Sequence, residues 1–540
     1  FWNHALGYPI PASLSVGARK ASSLGYVQME EQLRVKGADI KAPTMKSVAV
    51  QNAHVSMTKT DKKVNVKGEG YDIDIDLTTG AISHLVYGGK EIITEGNGPK
   101  LDAFRAPTDN DAGIGYHNAW FKNGLYDLQH RVISKPTIVK GKNGITQVSL
   151  TVESQGSEGC QQVYTDHDRN PETVYTFKQG KHALTADDFK FTTNQIYTIY
   201  PDGSIELQSA ISANRNNVVL PRIGYSMKLP KLFNQFQYYG RGPVNNYADR
   251  KTGQFIELHQ GEVGKQDIIL PKPQSMGNRE EVRWCALSDG QGASVAFVAD
   301  SVMSASALPW SQQQLAQAAH IYQLPQSDGT YLHLDAKVTG LGGASCGQGG
   351  PFVEDQARST NYNFGFVIRP VATGKTAAQV AKVSLSGDQP ISIEHSRVGK
   401  VTLSSPAKGR TIMYAINGSK KAAVYTAPID LRAGGTITTW YKDNPLMKTS
   451  MTYAKIESVP LQVLFASSEE PGSGSAANMV DGDPATMWHT MYSITLAKYP
   501  HWVDFDAGEA KLMKGFTLLP RQSGTNGWVK DYEIYVSQMM

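Results

Sequence analysis

Apolar and polar residues alternate strictly along Tyr71-Asp72-Ile73-Asp74-Ile75-Asp76-Leu77. A period of two puts every second side chain on one face, so this stretch predicts a β-strand with one polar side. Tyr197 to Leu207 predicts two strands joined across Pro201-Asp202-Gly203, because those residues supply a fixed φ, a side-chain acceptor and a permitted positive φ. Short runs of this kind, broken by turn residues, fill residues 42–370. A block of that length exceeds a simple sandwich and predicts two large antiparallel sheets packed face to face. Helical periodicity is scarce. The one good stretch is Ser311 to His320, where a serine precedes Gln312-Gln313-Gln314-Leu315-Ala316-Gln317-Ala318-Ala319 and suits a short capped helix.

The flanks divide from this block by pattern. Residues 1–41 contain Leu24-Gly25-Tyr26-Val27 and Met29-Glu30-Glu31-Gln32-Leu33, which predict the closing strands of a small Ig-like sandwich begun upstream. Phe1-Trp2-Asn3-His4-Ala5-Leu6 has neither an initiator methionine nor the basic and apolar regions of an export signal, and is expected to be the middle of a longer chain. Residues 371–460 form a shorter β module, with runs at Thr411 to Ser419, Tyr425 to Pro428 and Gly434 to Ile437. Residues 461–540 make a last β segment.

Length and composition sharpen this division. A chain of 540 residues exceeds one ordinary core and implies three to four domains. Its 51 glycines and 26 prolines fit an all-β protein with many turns. The net charge of +4 is spread without a basic block or arm, which argues against nucleic acid as a partner. No run of about eighteen apolar residues occurs, so no helical membrane span is expected. Three cysteines, Cys160, Cys285 and Cys346, lack Cys-x-x-Cys spacing and are expected to be buried free thiols.

Phe104-Arg105-Ala106-Pro107-Thr108-Asp109-Asn110-Asp111, with Gly113 behind it, concentrates charge, a rigid proline and polar turn formers between β-rich segments. The residues suit either a well-capped turn or a loop holding a ligand. The stretch resembles a RAP-x-DND-x-G loop in the C-terminal domain of bacterial β-galactosidases of glycoside hydrolase family 2. The resemblance extends over Tyr239-Gly240-Arg241-Gly242-Pro243, Asn246-Tyr247, Asp249-Arg250-Lys251, Pro273-Gln274, Gly277-Asn278-Arg279 and Val282-Arg283-Trp284. Ser306-Ala307-Leu308-Pro309 and Gly340-Leu341-Gly342-Gly343 follow in the family's order. It implies a galactose-mutarotase-like β-supersandwich over 42–370, packed beside a catalytic barrel. It also implies sugar contacts at Arg105, Asp109, Asn110 and Asp111. The family's glycine-rich loop usually places a tryptophan against the sugar; here Ala344-Ser345-Cys346-Gly347-Gln348 follows, leaving Ser345, Cys346 and Gln348 as the candidates. Ser275-Met276 and Asn245 also depart from the family pattern and point to a subgroup.

Residues 371–460 resemble the Ig-like module at the C-terminus of chitobiases and are expected to act as a spacer. Asp481-Gly482-Asp483, Thr486-Met487-Trp488-His489-Thr490, Tyr499-Pro500-His501, Leu519-Pro520-Arg521-Gln522 and Tyr532 to Ser537 resemble the first part of an F5/8 type C, or discoidin, galactose-binding jelly roll. A complete module of this kind is a domain of about 130 residues, so a partial one is expected here. The resemblance implies galactose contacts at His489, Arg521 and Asn526, with Trp528 or Tyr492 as a stacking face. It also implies calcium at Asp481, Asp483 and Thr486, oxygen donors suited to a hard cation; an Asp-Gly turn capping a strand accounts for the same residues.

A retaining β-galactosidase needs a nucleophile and an acid/base carboxyl about 5 Å apart. In the family both lie on the barrel, along with any Mg2+ or Na+. No repeated βα units occur here, so no catalytic residue is assigned. Glu30-Glu31 and Glu280-Glu281 are expected to be solvated charged edges, since neighbours on a strand point to opposite faces. The chain is thus expected to wall the pocket of a β-galactosidase and to bind galactoside-containing glycans. Its partners would be the missing barrel and a second copy of itself, and its location periplasmic or extracellular. Two alternatives stand beside this. One is a non-catalytic carbohydrate-binding or adhesion protein. The other is an aldose epimerase drawing on His320, His333, Asp335 and Glu280, which no spacing ties together.

Overall fold

The fold is described from a computed structural model covering residues 13–18, 29–34, 45–46, 54–141, 144–165, 172–177, 184–185, 188–267, 269–342, 349–384, 388–396, 398–456, 461–472, 474–482, 486–508, 510, 515–521 and 527–537. The protein is an all-β sandwich with further β modules. Five strands in meander order, Ser56–Lys59, Lys63–Gly68, Tyr71–Asp76, Ile82–Tyr87 and Lys90–Ile93, make the first sheet. The second is a 13-stranded antiparallel sheet. Its path runs Gln129–Val132, Thr146–Gln155, Lys190–Ile199, Ile205–Ala213, Tyr362–Pro370, Ser294–Leu308, Arg279–Ser288, Gln235–Gly242 and Phe255–Glu262. Thr137–Lys140 branches from this path, as does the group Lys100–Asp102, Arg222–Leu229 and Thr330–Val338. One apolar core lies between the sheets. Val64, Ile73, Ile75 and Leu85 of the first are buried with Leu207, Phe297, Phe366 and Ile368 of the second.

Local signals translate directly into this architecture. The alternating stretch forms the strand Tyr71–Asp76, yet its polar side is covered. Lys67 and Lys63 reach Asp72 and Asp74 at 3.0 and 2.8 Å across the ladder, and Asn65 Nδ2 donates to both carboxylates. Ile199 pairs with Ile205 across the predicted hairpin. There Gly203 adopts φ +80° and the Ser204 amide donates to Asp202 Oδ1 at 2.9 Å. The predicted helix spans Gln312–Gln317, with Ser311 and Gln314 forming a reciprocal capping box. It ends before His320 because Gln323 Oε1 captures the amides of Ala319 and His320 at 2.7 and 3.1 Å.

The strand Ser294–Leu308 is 15 residues long and pairs with three others. Tyr362–Pro370 borders its first part and Thr330–Val338 its last, while Arg279–Ser288 pairs with both parts along the other side. Asp300, Ser301 and Val302 are exposed where it changes partners.

Beyond the sandwich, residues 388–456 form a small module of two sheets. Ser392–His395, Lys400–Ser404 and Ile429–Asp430 face a four-stranded sheet of Ala423–Val424, Ile412–Ile416, Gly435–Tyr441 and Asn444–Tyr453. Ile393, Val401, Leu403, Ile437 and Tyr441 fill the space between them. The module docks along the larger sheet. Thr137 Oγ1 donates to Lys448 O at 2.9 Å, and the Ser149 and Thr449 hydroxyls meet at 3.2 Å.

At the chain's two flanks the described residues form ladders. Ser13–Ala18 pairs antiparallel with Met29–Arg34, and Gln32 Oε1 accepts from the Ile256 amide of the sandwich at 2.8 Å. Gln462–Ala466 pairs with Val503–Asp506, and Ile534, Tyr535 and Val536 are exposed. Among the described residues no helix is long and apolar enough to cross a membrane.

Candidate functional site

The Phe104 to Gly113 loop is anchored by its first residues. Phe104 is buried in an aromatic cluster with Phe121, Tyr126 and Phe177. Arg105 is fully buried and its Nη2 donates to Asp111 Oδ1 at 2.7 Å and to Gly340 O at 3.2 Å, while Nη1 donates to Thr339 O. Its guanidinium also lies 5.6 Å from the Trp120 ring centroid. The other oxygen of Asp111 accepts from the Thr108 amide and hydroxyl at 2.8 and 2.9 Å, closing a capping box on the short helix Asp109–Gly113. Arg105 and Asp111 therefore hold the loop and are withdrawn from solvent.

Asp109 and Asn110 stand exposed on the rim. Lys272 Nζ reaches Asp109 Oδ1 at 2.5 Å, and Gln274 Oε1 accepts from the Asp109 amide at 3.3 Å. Asn110 Nδ2 donates to Leu341 O at 2.8 Å. The glycine loop is clamped from below by Asp249, whose two oxygens accept from the Leu341 and Gly342 amides at 3.1 and 2.8 Å. A Cβ at Gly340 would lie 2.4 Å from the Asp249 carboxylate, so only glycine allows this approach. Ser345, Cys346 and Gln348 lie outside the described residues. The sequence assigns no role to Lys272, Gln274 or Asp249; Gln274 and Asp249 are marked by the PQ and DRK motifs, and Lys272 by no motif.

The remaining motifs scaffold this end of the sandwich. Asn246 and Asn278 exchange backbone and side-chain hydrogen bonds, and Asn246 Oδ1 accepts from the Glu280 amide at 2.8 Å. Arg279 is buried, donating to Tyr238 OH at 2.8 Å and to Asp267 at 2.9 Å. Glu280 and Glu281 are not the solvated edge expected. The ladder shifts register around them, Glu281 takes φ +55°, and a bulge of this kind turns both side chains onto partners. Arg241 grips Glu281 at 2.5 Å, while Asn278 and Ser304 donate to Glu280 at 2.8 and 2.7 Å.

The fold gathers three of the four dispersed epimerase candidates. His333 and Asp335 follow one another on one face of Thr330–Val338, Ser304 sits opposite Asp335, and Ser304 binds Glu280. Arg222 Nη2 lies 3.7 Å from Asp335, and Asp102 3.4 Å from His333. Arg222, Ser304, His333 and Asp335 are buried, and Asp102 and Glu280 half-buried. Desolvation pushes Asp335 up to about 7 against the pull of Arg222, raises Asp102 and Glu280, and drives His333 well below its ordinary range. His320 lies elsewhere, stacked on Tyr322.

In the last segment, Trp528 Nε1 donates to Arg521 O at 3.0 Å, and the His489 and Tyr492 rings meet edge to face at 4.7 Å. Thr486 Oγ1 donates to Asp481 Oδ2 at 2.8 Å. Asp483 and Asn526 lie outside the described residues. Glu470 is buried and accepts from the Tyr492 and Ser493 amides, orienting the loop that carries Tyr492.

A two-sheet all-β core with a polar, multiply clamped rim defines the class of this module. Residues 67–368 match the β-galactosidase small chain family, and the chain belongs to that family. Residues 464–539 match the F5/8 type C domain. A β-galactosidase of Priestia megaterium is 27% identical over 327 residues, covering 60% of this chain and 27% of that protein. One from Halalkalibacterium halodurans is 28% identical over 292 residues, covering 52% of this chain and 25% of that protein. The chain thus spans about a quarter of the length of these curated relatives. A galactose 1-epimerase structure from Lactobacillus acidophilus NCFM aligns over 59% of this chain and 98% of its own, with 7% identity and a TM-score of 0.29.

Two outcomes follow from the buried groups. Arg105→Ala should destabilise the sandwich by about 3–5 kcal/mol, because it strands the Asp111 carboxylate; a melting curve that does not move would refute the anchoring role. Asp335 keeps its proton in the fold at pH values where the unfolded chain has lost it. Its contribution to stability is full below the unfolded value of about 4 and lost as pH rises to about 7. Asp335→Asn should flatten the fall in melting temperature across that window. An unchanged slope would show that Asp335 is ionised throughout.

Proposed function

We propose that this chain walls the sugar pocket of a β-galactosidase whose catalytic carboxylates lie on another part of the protein, the barrel of the family resemblance. The observation that carries this reading is the pair Asp109 and Asn110, exposed and held rigid beside the Gly340 to Gly342 loop by the buried Arg105–Asp111 pair. It falls within residues 67–368, which match the β-galactosidase small chain family. A fixed carboxylate and amide suit hydrogen bonding to sugar hydroxyls, with Lys272 damping the charge of Asp109. The chemistry would be retaining double displacement with both carboxyls, and any Mg2+ or Na+, on that other part. The F5/8 type C segment would bind galactose-bearing glycans through His489, Arg521, Asn526 and Trp528, raising the local concentration of substrate. Asp481, Asp483 and Thr486 would hold calcium, a fit supported by the convergence of the Asp481 and Thr486 oxygens. Assembly with the barrel, pairing with a second copy, and work in the periplasm or outside the cell belong to the same proposal. Burial of His333 and Asp335 weighs against an epimerase, whose acid and base must meet the sugar.

Incubated with a nitrophenyl β-galactoside, this chain should give no turnover while galactose binding remains measurable by calorimetry. Turnover would place the acid pair within these residues and overturn the reading. Calcium removal by a chelator should lower the melting temperature of the C-terminal segment alone; a curve unaffected by chelator and by added calcium would remove the metal from the proposal.

A further inference from the structure

The small module does not merely abut the sandwich; between them lies an open cleft of about 490 Å³. One side is built by the edge of the five-stranded sheet and by the Thr137–Lys140 strand. The other is the outer face of the hairpin Gly435–Tyr441 and Asn444–Tyr453. Met57 and Ile138 give the cleft an apolar floor, and its charge comes from Lys59, Lys135 and Lys448. All three lysines are exposed, and among the described residues no carboxylate lines the cleft.

The hairpin face has a second character. Its residues alternate, so Thr436, Thr438 and Trp440 share one side with Lys448, Ser450 and Thr452. Thr438 pairs with Ser450 at 2.9 Å and Thr436 with Thr452 at 2.8 Å, forming a ladder of hydroxyls. At its end the Lys448 ammonium lies 4.8 Å from the Trp440 ring centroid, which holds the cation in place. Hydroxyls and three exposed ammoniums lining an open groove, with an indole at its margin beside Lys448, are complementary to an extended ligand that carries both sugar hydroxyls and negative charge.

We propose that this cleft binds an acidic oligosaccharide, one bearing sulfate esters or uronate carboxylates, and so steers the protein toward charged glycans. The proposal rests on the reading that the chain works on glycans. The three ammoniums would contact the anionic groups, Trp440 the sugar face, and the Thr438 and Ser450 hydroxyls the ring oxygens.

The test is calorimetric titration of the whole chain with three tetrasaccharides: a sulfated galactan, a galacturonate oligomer and neutral galactotetraose. The acidic pair should bind more tightly than the neutral sugar, with affinity falling as salt rises. If only one of the two acidic sugars binds, that arm identifies the anion. Combined Lys59→Ala, Lys135→Ala and Lys448→Ala changes should weaken acidic binding about tenfold, from the loss of three exposed contacts. Trp440→Ala should weaken it as well, without altering the melting temperature of the sandwich. Equal binding of acidic and neutral sugars, or a triple variant that binds as the parent does, would overturn the cleft proposal while leaving the galactose-binding reading intact. Failure to bind any of the three would overturn both.

Discussion

The guanidinium of Arg105 is the joint on which this end of the molecule depends. It is a charge withdrawn from water, and such a group persists only where geometry supplies partners. Asp111 gives it a counter-charge, Thr339 and Gly340 give it carbonyls, and Trp120 gives it an aromatic face. Those partners come from a loop, a strand end and a helix that would otherwise be independent. Once Arg105 is in place, the orientation of the Asp109–Gly113 helix and the height of the glycine loop are both decided. A hydrophobic substitute of similar volume could stabilise as well, but it could not select one register among these three elements.

The same economy recurs around the rim. Asp249 holds two successive amides of the glycine loop, Asn246 and Asn278 bind each other's backbone, and Arg279 spans Tyr238 and Asp267. Residues that read as chemistry in the sequence are here mostly architecture for a few exposed neighbours. Architecture of that kind suits a surface that must present fixed groups to a ligand, because side chains locked by buried hydrogen bonds lose little further entropy on binding.

The sequence made some of this legible and hid the rest for physical reasons. Strand Tyr71–Asp76, the hairpin at Asp202-Gly203 and the cap at Ser311 are written in local periodicity and turn chemistry, so they could be read from a few neighbouring residues. The end of the helix could not, because Gln323 takes its last amides from beyond the helical pattern. Glu280 and Glu281 were misread because alternation assumes an unbroken pleat, and the bulge that turns them inward leaves no mark in the order of apolar and polar residues. The candidate loop was visible as a motif, but Arg105 finds Thr339 across 234 positions, a distance no spacing rule spans. Gathering of His333, Asp335 and Glu280 was equally invisible, since it depends on which strands become neighbours.

The long strand Ser294–Leu308 carries a consequence for how this domain can change over evolutionary time. A strand that borders one partner can slip or lengthen with only local adjustment. This one is shared by three, one that pairs with both its halves and one more at each end, so an inserted or deleted residue would shift the facing side chains of every ladder downstream at once. Variation in length should therefore collect in the turns around the sheet, and the strand itself should descend through the lineage at constant length while exposed Ser301 and Val302 accept changes of residue.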